Sequence, residues 1–179
     1  GYRFEGWYDE ETRISDSGVW DYPADKTLVA HWRIVIYTIS YDLNGGMVSD
    51  NPTSYTVLDT VTLSNPTKTG YTFAGWTGTD LEAPMTNLSF SNEAGDKSYI
   101  ANWAGNAYTV ALDPNGGSVF QETVSLIYGS AYTLPTPERT GYGFDGWFDG
   151  ATRISDSGVW DFATDKTLVA HWARFDTSN

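Results

Sequence analysis

Chemistry would begin with the imidazoles, and this chain has only two, His31 and His171, with no cysteine beside them. They sit at the same place in two closely copied stretches, each without a second histidine nearby. A transition-metal site needs several such ligands converging, and a general base needs a positioned partner. Each is therefore expected to be a surface residue on an edge strand. Carboxylates offer a second possibility. Asp42 with Asn44, and Asp113 with Asn115, space side-chain oxygens two residues apart, as calcium loops do. Calcium takes six to eight oxygens, and an EF-hand loop continues with more acids at fixed steps and ends in Glu. Neither stretch completes that pattern, so turn chemistry is favoured, with calcium as the alternative. No pair of carboxylates stands out for glycoside hydrolysis. No Gly-rich loop opens a helix to hold phosphate, and the serines have no recurring His–Asp partner. No catalytic, cofactor-binding or metal residue is assigned, no cofactor is expected, and the ligand-binding residues are unknown.

The aromatic residues are the richer candidates: 8 Trp, 12 Tyr and 8 Phe in 179 residues. Rows of such rings on a β surface could stack on sugars. Packing explains the same rings equally directly, since each buries roughly 150–250 Å². Trp7, Trp76 and Trp147 recur at one position and Trp32, Trp103 and Trp172 at another. Recurrence of this kind is what the core of one module type requires. Tyr8 against Phe148 and Tyr22 against Phe162 differ only by a hydroxyl, which again favours packing over a hydrogen-bonded ligand.

These positions recur because the chain is a tandem array with a period near 70 residues. GYRFEGWYDEETRISDSGVWDYPADKTLVAHW at residues 1–32 and GYGFDGWFDGATRISDSGVWDFATDKTLVAHW at 141–172 are identical at 24 of 32 positions. A looser copy runs from GYTFAGW at Gly70 to Ala101-Asn102-Trp103. The other half of the repeat opens with YTISYDLNGG at 37–46 and YTVALDPNGG at 108–117. Alternating apolar residues there predict strands, and Asn-Gly predicts a hairpin turn. A second apolar segment follows at 54–63 and 119–134, and Pro66, Pro135 and Pro137 mark a loop.

In GYxFxGW the tryptophan lies three residues after the Phe, so pleating alone would send it to the other face. The glycine between them (Gly6, Gly75, Gly146) predicts a bulge that re-aims the indole. Asp16-Ser-Gly18 and Asp156-Ser-Gly158 read as turns, and Phe90 takes the place of Trp20 and Trp160 in the middle copy. Asp21-Tyr-Pro-Ala-Asp and Asp161-Phe-Ala-Thr-Asp predict one helical turn with the Asp as N-cap. The closing TLVAHW strand places Leu28, Ala30 and Trp32 on one face and Val29 and His31 on the other.

Net charge is −13 and spread along the chain: four basic against seven acidic side chains in 1–34, two against seven in 35–104, three against eight in 105–173. Such a surface disfavours nucleic acid, whose phosphates need Lys and Arg in place of counterions, and anionic membrane likewise. No apolar run approaches the 18 residues of a spanning helix, and no signal peptide is evident. The chain opens within a repeat and without Met, as a segment of a longer protein would.

Together, NGG, the proline loop, GYGFDGWF and LVAHW resemble the Listeria–Bacteroides repeat, the internalin B-repeat, over all but the last few residues. The resemblance implies an α+β, predominantly β fold: tandem β-grasp (ubiquitin-like) modules with a minimal helix. It also implies secreted or surface-attached bacterial proteins and no catalytic residues. The middle copy departs from the pattern over 76–90. The expected organisation is residues 1–34 as the C-terminal half of a repeat, 35–104 and 105–173 as complete modules joined by short stiff connections, and 174–179 as linker or tail. The expected function is a non-enzymatic extracellular stalk or spacer with weak multivalent adhesive contacts. The alternative is a carbohydrate- or host-protein-binding module using exposed aromatics. Expected partners are a host protein or glycan, and another chain by self-association through the N-terminal half-repeat; nucleic acid and membrane insertion are not expected.

Overall fold

The computed structural model describes residues 1–175, which form two compact units. One comprises 1–66 and 74–102; the other comprises 67–73 and the chain from 103 onward. Of the expected 174–179 tail, residues 176–179 lie outside the described residues, while Arg174 closes the last long strand.

In the second unit, β10 (Ala107–Asp113), β11 (Thr123–Ile127), β13 (Tyr142–Asp149), β14 (Thr152–Ile154) and β16 (Lys166–Arg174) form a mixed sheet in the order β11-β10-β16-β13-β14. The central contact, β10 with β16, is parallel, from Val110↔Lys166 to Asp113↔Val169. β12 (Ala131–Thr133) and β15 (Ser157–Val159) make a separate two-stranded ladder. Between the sheets lies a core of Val110, Leu112, Leu134, Trp147, Ile154, Trp160, Leu168 and Ala170. The alternation in LVAHW places Leu168 and Ala170 in that core and leaves His171 outside.

The first unit repeats the plan with β4 (Tyr37–Asp42), β5 (Ser54–Tyr55), β7 (Tyr71–Gly78) and β9 (Lys97–Gly105) in the order β5-β4-β9-β7, and with β6 (Thr60–Thr62) against β8 (Ser89–Ser91). Its core holds Ile39, Tyr55, Val61, Leu63, Trp76, Leu88, Phe90, Tyr99 and Ala101. Phe90, opposite Val61 and edge-on to Tyr55 at 5.2 Å, fills the space that Trp160 fills from just beyond its strand. The same unit contains a three-stranded sheet in the order β2-β1-β3, built from β1 (Tyr2–Asp9), β2 (Thr12–Ile14) and β3 (Val29–Ile34).

The expected α+β β-grasp class with a minimal helix is corrected: the described residues contain no helix, and the fold is a β-rich tandem repeat with several small sheets. Residues 21–25 and 161–165 contain only a bend. Five residues allow too few i→i−4 bonds to offset helix nucleation, and tertiary contacts hold the segment open. The Phe162 ring packs on Trp160 at 4.9 Å. The Asp165 carboxylate accepts the Thr109 amide at 2.8 Å instead of Asp161 capping a turn.

Two smaller expectations also change. Asn115-Gly116 makes a tight turn, with φ of 44° and 81° and Gly117 N–H donating to Pro114 O. The turn delivers the chain to Ser118, which bridges Glu138, so the β10–β11 hairpin closes through a nine-residue loop rather than at the turn. Asp156-Ser-Gly158 was expected to turn, but Ser157–Val159 is a strand because β12 is there to pair with it.

Candidate functional site

The GYxFxGW bulge forms as the spacing requires. Phe144 pairs with Trp172 and Gly146 with His171, so Asp145 is the extra residue. The slip turns Trp147 onto the face of Phe144, ring to ring at 5.6 Å. Arg153 locks the bulge by donating Nε–H to the freed Asp145 carbonyl at 3.0 Å. Gly146 is required there: its φ is +142° and a Cβ would lie 2.4 Å from that Nε.

Neither histidine sits in a polar cluster. His171 stacks flat on Phe148 at 3.8 Å, and His31 on Tyr8 at 3.9 Å. Both are exposed, but only His31 is on an edge strand; β16 is the middle of five strands. The Asp–Asn pairs work within their turns. Asp42 and Asp113 accept the amides of Asn44 and Asn115 at 2.9 and 2.8 Å, and each Asn donates its side-chain amide across the module, to Ala101 O and Ala170 O at 3.0 Å. Among the described residues no group of three or more His, Asp or Glu is gathered to hold a metal.

The tryptophans divide. Trp76, Trp147 and Trp160 are fully buried, whereas Trp7, Trp20 and Trp32 are 45%, 55% and 59% exposed. Trp103 and Trp172 are half-buried. Trp172 borders an open groove of about 480 Å³ with Tyr142, Phe144 and the 136–140 loop. The Arg139 guanidinium lies 4.1 Å above the Tyr142 ring and donates to Asn115 O. The Trp172 indole N–H donates to Pro114 O at 3.0 Å, and Phe144 meets its ring edge-on at 5.7 Å. Such a groove offers fixed aromatic edges beside one cation, a surface suited to a sugar ring or an extended peptide. The middle repeat sets Lys68 over Tyr71 at 4.3 Å and near Trp103 at 5.8 Å, but Tyr128 covers Tyr71 edge-on at 5.2 Å. Arg139 and Lys68 went unnoticed in the sequence; their shared offset of three residues before the tyrosine was the available signal.

Lys97 was also missed. It is buried yet charged, held by Asp80 at 2.7 Å and Glu93 at 2.5 Å. Burial pushes its ammonium down, but hydrogen bonds to Asp80 and Glu93 outweigh that and leave its pKa raised. Nearby, burial pushes the Tyr41 phenol up to about 12. The Asp96 carboxyl is held below the usual range by the Thr38 amide it accepts at 2.8 Å.

Fold and surface define a bacterial surface repeat module. Residues 37–98 and 108–171 each match the Listeria-Bacteroides repeat domain, and the chain belongs to that family. Two proteins of Evansella cellulosilytica, named provisionally as a membrane protein and a Gly-rich membrane protein, are each 35% identical to it. The alignments cover 97% and 96% of this chain but 27% and 21% of those proteins. Internalin H of Listeria monocytogenes is 32% identical over 80% of the chain and 26% of its own length. The chain thus spans about a quarter of the length of the curated relatives it matches. No solved structure gives a significant match. Family and relatives make this a non-enzymatic repeat module of a secreted or cell-surface-associated bacterial protein. No helix among the described residues is long and apolar enough to cross a membrane.

Proposed function

We propose that the chain is a stalk or spacer segment that also carries weak adhesive contacts, with 35–104 and 105–173 as complete modules and 1–34 as the C-terminal half of a repeat. The supporting observation is a junction built twice in the same way. In one unit the Gly1 carbonyl accepts the Val35 amide and Gly1 lies under Val57; in the other the Gly70 carbonyl accepts the Asn106 amide and Gly70 lies under Tyr128. Short intervals, Val35-Ile36 between β3 and β4 and Asn106 between β9 and β10, leave little free chain. Repetition of such junctions would extend a chain stepwise and multiply weak sites, which gain avidity from their high effective concentration. Small-angle scattering tests this. The maximum dimension should grow in proportion to the number of repeats, and Gly70→Val, which drives a side chain into Tyr128 at φ +79°, should loosen the chain. A wild-type profile of freely jointed beads would overturn the spacer reading.

The Arg139–Tyr142–Trp172 groove favours a second reading, a carbohydrate- or host-protein-binding module. Internalin H supplies the analogy of a bacterial relative, and no more than that. A glycan array and a host-surface binding assay in which Tyr142→Ala matches wild type would retire it.

A further inference from the structure

The half-repeat 1–34 and the second half 141–174 share one backbone geometry. Every ladder pair recurs with an offset of 140, including Phe4↔Trp32 and Phe144↔Trp172, Gly6↔His31 and Gly146↔His171, Trp7↔Ile14 and Trp147↔Ile154. The ring geometries recur as well: Phe4–Trp7 and Phe144–Trp147 both lie at 5.6 Å, and Trp20–Tyr22 and Trp160–Phe162 lie at 4.8 and 4.9 Å. What differs is the cover. In 141–174 the inner face is closed by 105–140: a strand parallel to Lys166–Val169, β12 against β15, and Pro135 O accepting the Trp147 indole N–H at 2.9 Å. In 1–34 the corresponding face shows Phe4, Trp7, Trp20 and Trp32 to solvent. Its counterpart backbone at 17–19 and 26–28 is in no ladder.

We infer that residues 1–34 are a preformed acceptor for a further repeat first half, a polypeptide of the pattern seen at 105–140. The chemistry of that occupant is written in the covered copy. It needs an apolar strand like Val110–Leu112 to lie parallel to 26–29, over Leu28 and Ala30. It needs backbone carbonyls like those of Pro114 and Pro135 for the Trp32 and Trp7 indoles. It needs an amide like that of Thr109 for the Asp25 carboxylate, the counterpart of Asp165. A second intact copy of this chain does not offer such a segment, because its own first halves already bury Trp76 and Trp147. A sugar ligand would not satisfy the two unpaired backbone edges that flank the indoles. The inference goes beyond the spacer function and does not depend on it.

The test is titration of a synthetic 105–140 peptide into the full chain, read by tryptophan fluorescence and the indole N–H signals of Trp7, Trp20 and Trp32. A saturable 1:1 blue shift with those three indoles protected is expected. Leu28→Asp in the chain and, separately, Leu112→Asp in the peptide should each weaken binding about tenfold or more, because each puts a charge into the closed core. The peptide variant keeps the test valid if the chain variant disorders the half-repeat. No saturable binding, or binding that both substitutions leave unchanged, overturns the inference. So does a concentration-dependent dimer of the chain alone that protects the same indoles.

Discussion

Residues 15–21 and 155–161 have the same sequence, SDSGVWD, yet only the second contains a strand. The difference extends to the closing segment: β16 begins at Lys166, whereas β3 begins at Val29, three residues later than the matching position. Elsewhere the two halves agree in register, bulge and ring contacts. The hairpin and its bulge are thus specified locally, by Gly6 or Gly146 and by Arg13 or Arg153. The strand state of SGV and KTL is conferred by partners over twenty residues away in β12 and β10. Burial follows the same division, because the indoles face inward in both halves and only one half has an inside.

The largest break in this comparison comes from deleting an indole that is covered and one that is not. Trp147→Ala should cost about 3–5 kcal/mol, the usual range for a buried Trp truncated to Ala, and should unfold the 105–173 module first in urea. Trp7→Ala, at the matching position and 45% exposed, should shift the midpoint by less than about 1 kcal/mol. Equal losses would mean that the half-repeat is as tightly packed as its copy.

Much of this was legible in the sequence because it rests on local pattern. The period, the bulge at Gly146, the two faces of LVAHW and the inward Trp76 and Trp147 follow from alternation and glycine chemistry. The helical turn did not form, because Asp161 and Asp165 resemble caps in sequence but Asp165 is consumed by the Thr109 amide. That bond joins residues 56 apart, and no local window contains it. The buried Lys97 was hidden for the same reason: one of its two carboxylates, Asp80, comes from a different turn 17 residues away. The open face of 1–34 was the reverse case. Its existence followed from counting halves, and its geometry from the copy at 141–174.

A second comparison sets the middle module against the last. Tyr41 and Tyr99 stand where the last module has Leu112 and Leu168. The Tyr41 phenol is raised to about 12 by burial, and Lys97 is raised as well. A folded-state pKa above the unfolded value means that the folded state holds more protons at high pH. The associated stability is complete below pH 10 and is lost as pH rises through the folded values. The middle module should therefore lose on the order of 1–2 kcal/mol between pH 9 and 12 from Tyr41, after discounting for the part of the ring that meets solvent. Urea midpoints at both ends of that range, in wild type and Tyr41→Leu, would measure it. A variant as alkali-sensitive as wild type would remove Tyr41 from the account.

The finest comparison lies within one core, between Trp147 and Trp160. Both are buried to the same degree, but their indole nitrogens differ: Trp147 donates to Pro135 O at 2.9 Å, while Trp160 Nε1 has no partner among the described residues. Replacing Trp by Phe removes similar volume at each site and one N–H. At Trp147 it strands the Pro135 carbonyl, whereas at Trp160 it removes a donor already unsatisfied, so the cavity term is partly offset. Trp147→Phe should thus cost about 1 kcal/mol more than Trp160→Phe in the same urea assay. The middle module already carries a Phe, Phe90, in the place of Trp160 and keeps Trp76 in the place of Trp147, the substitution pattern that this difference favours. Equal costs at the two positions would show that ring volume, and not the hydrogen bond, decides which indole this core can exchange.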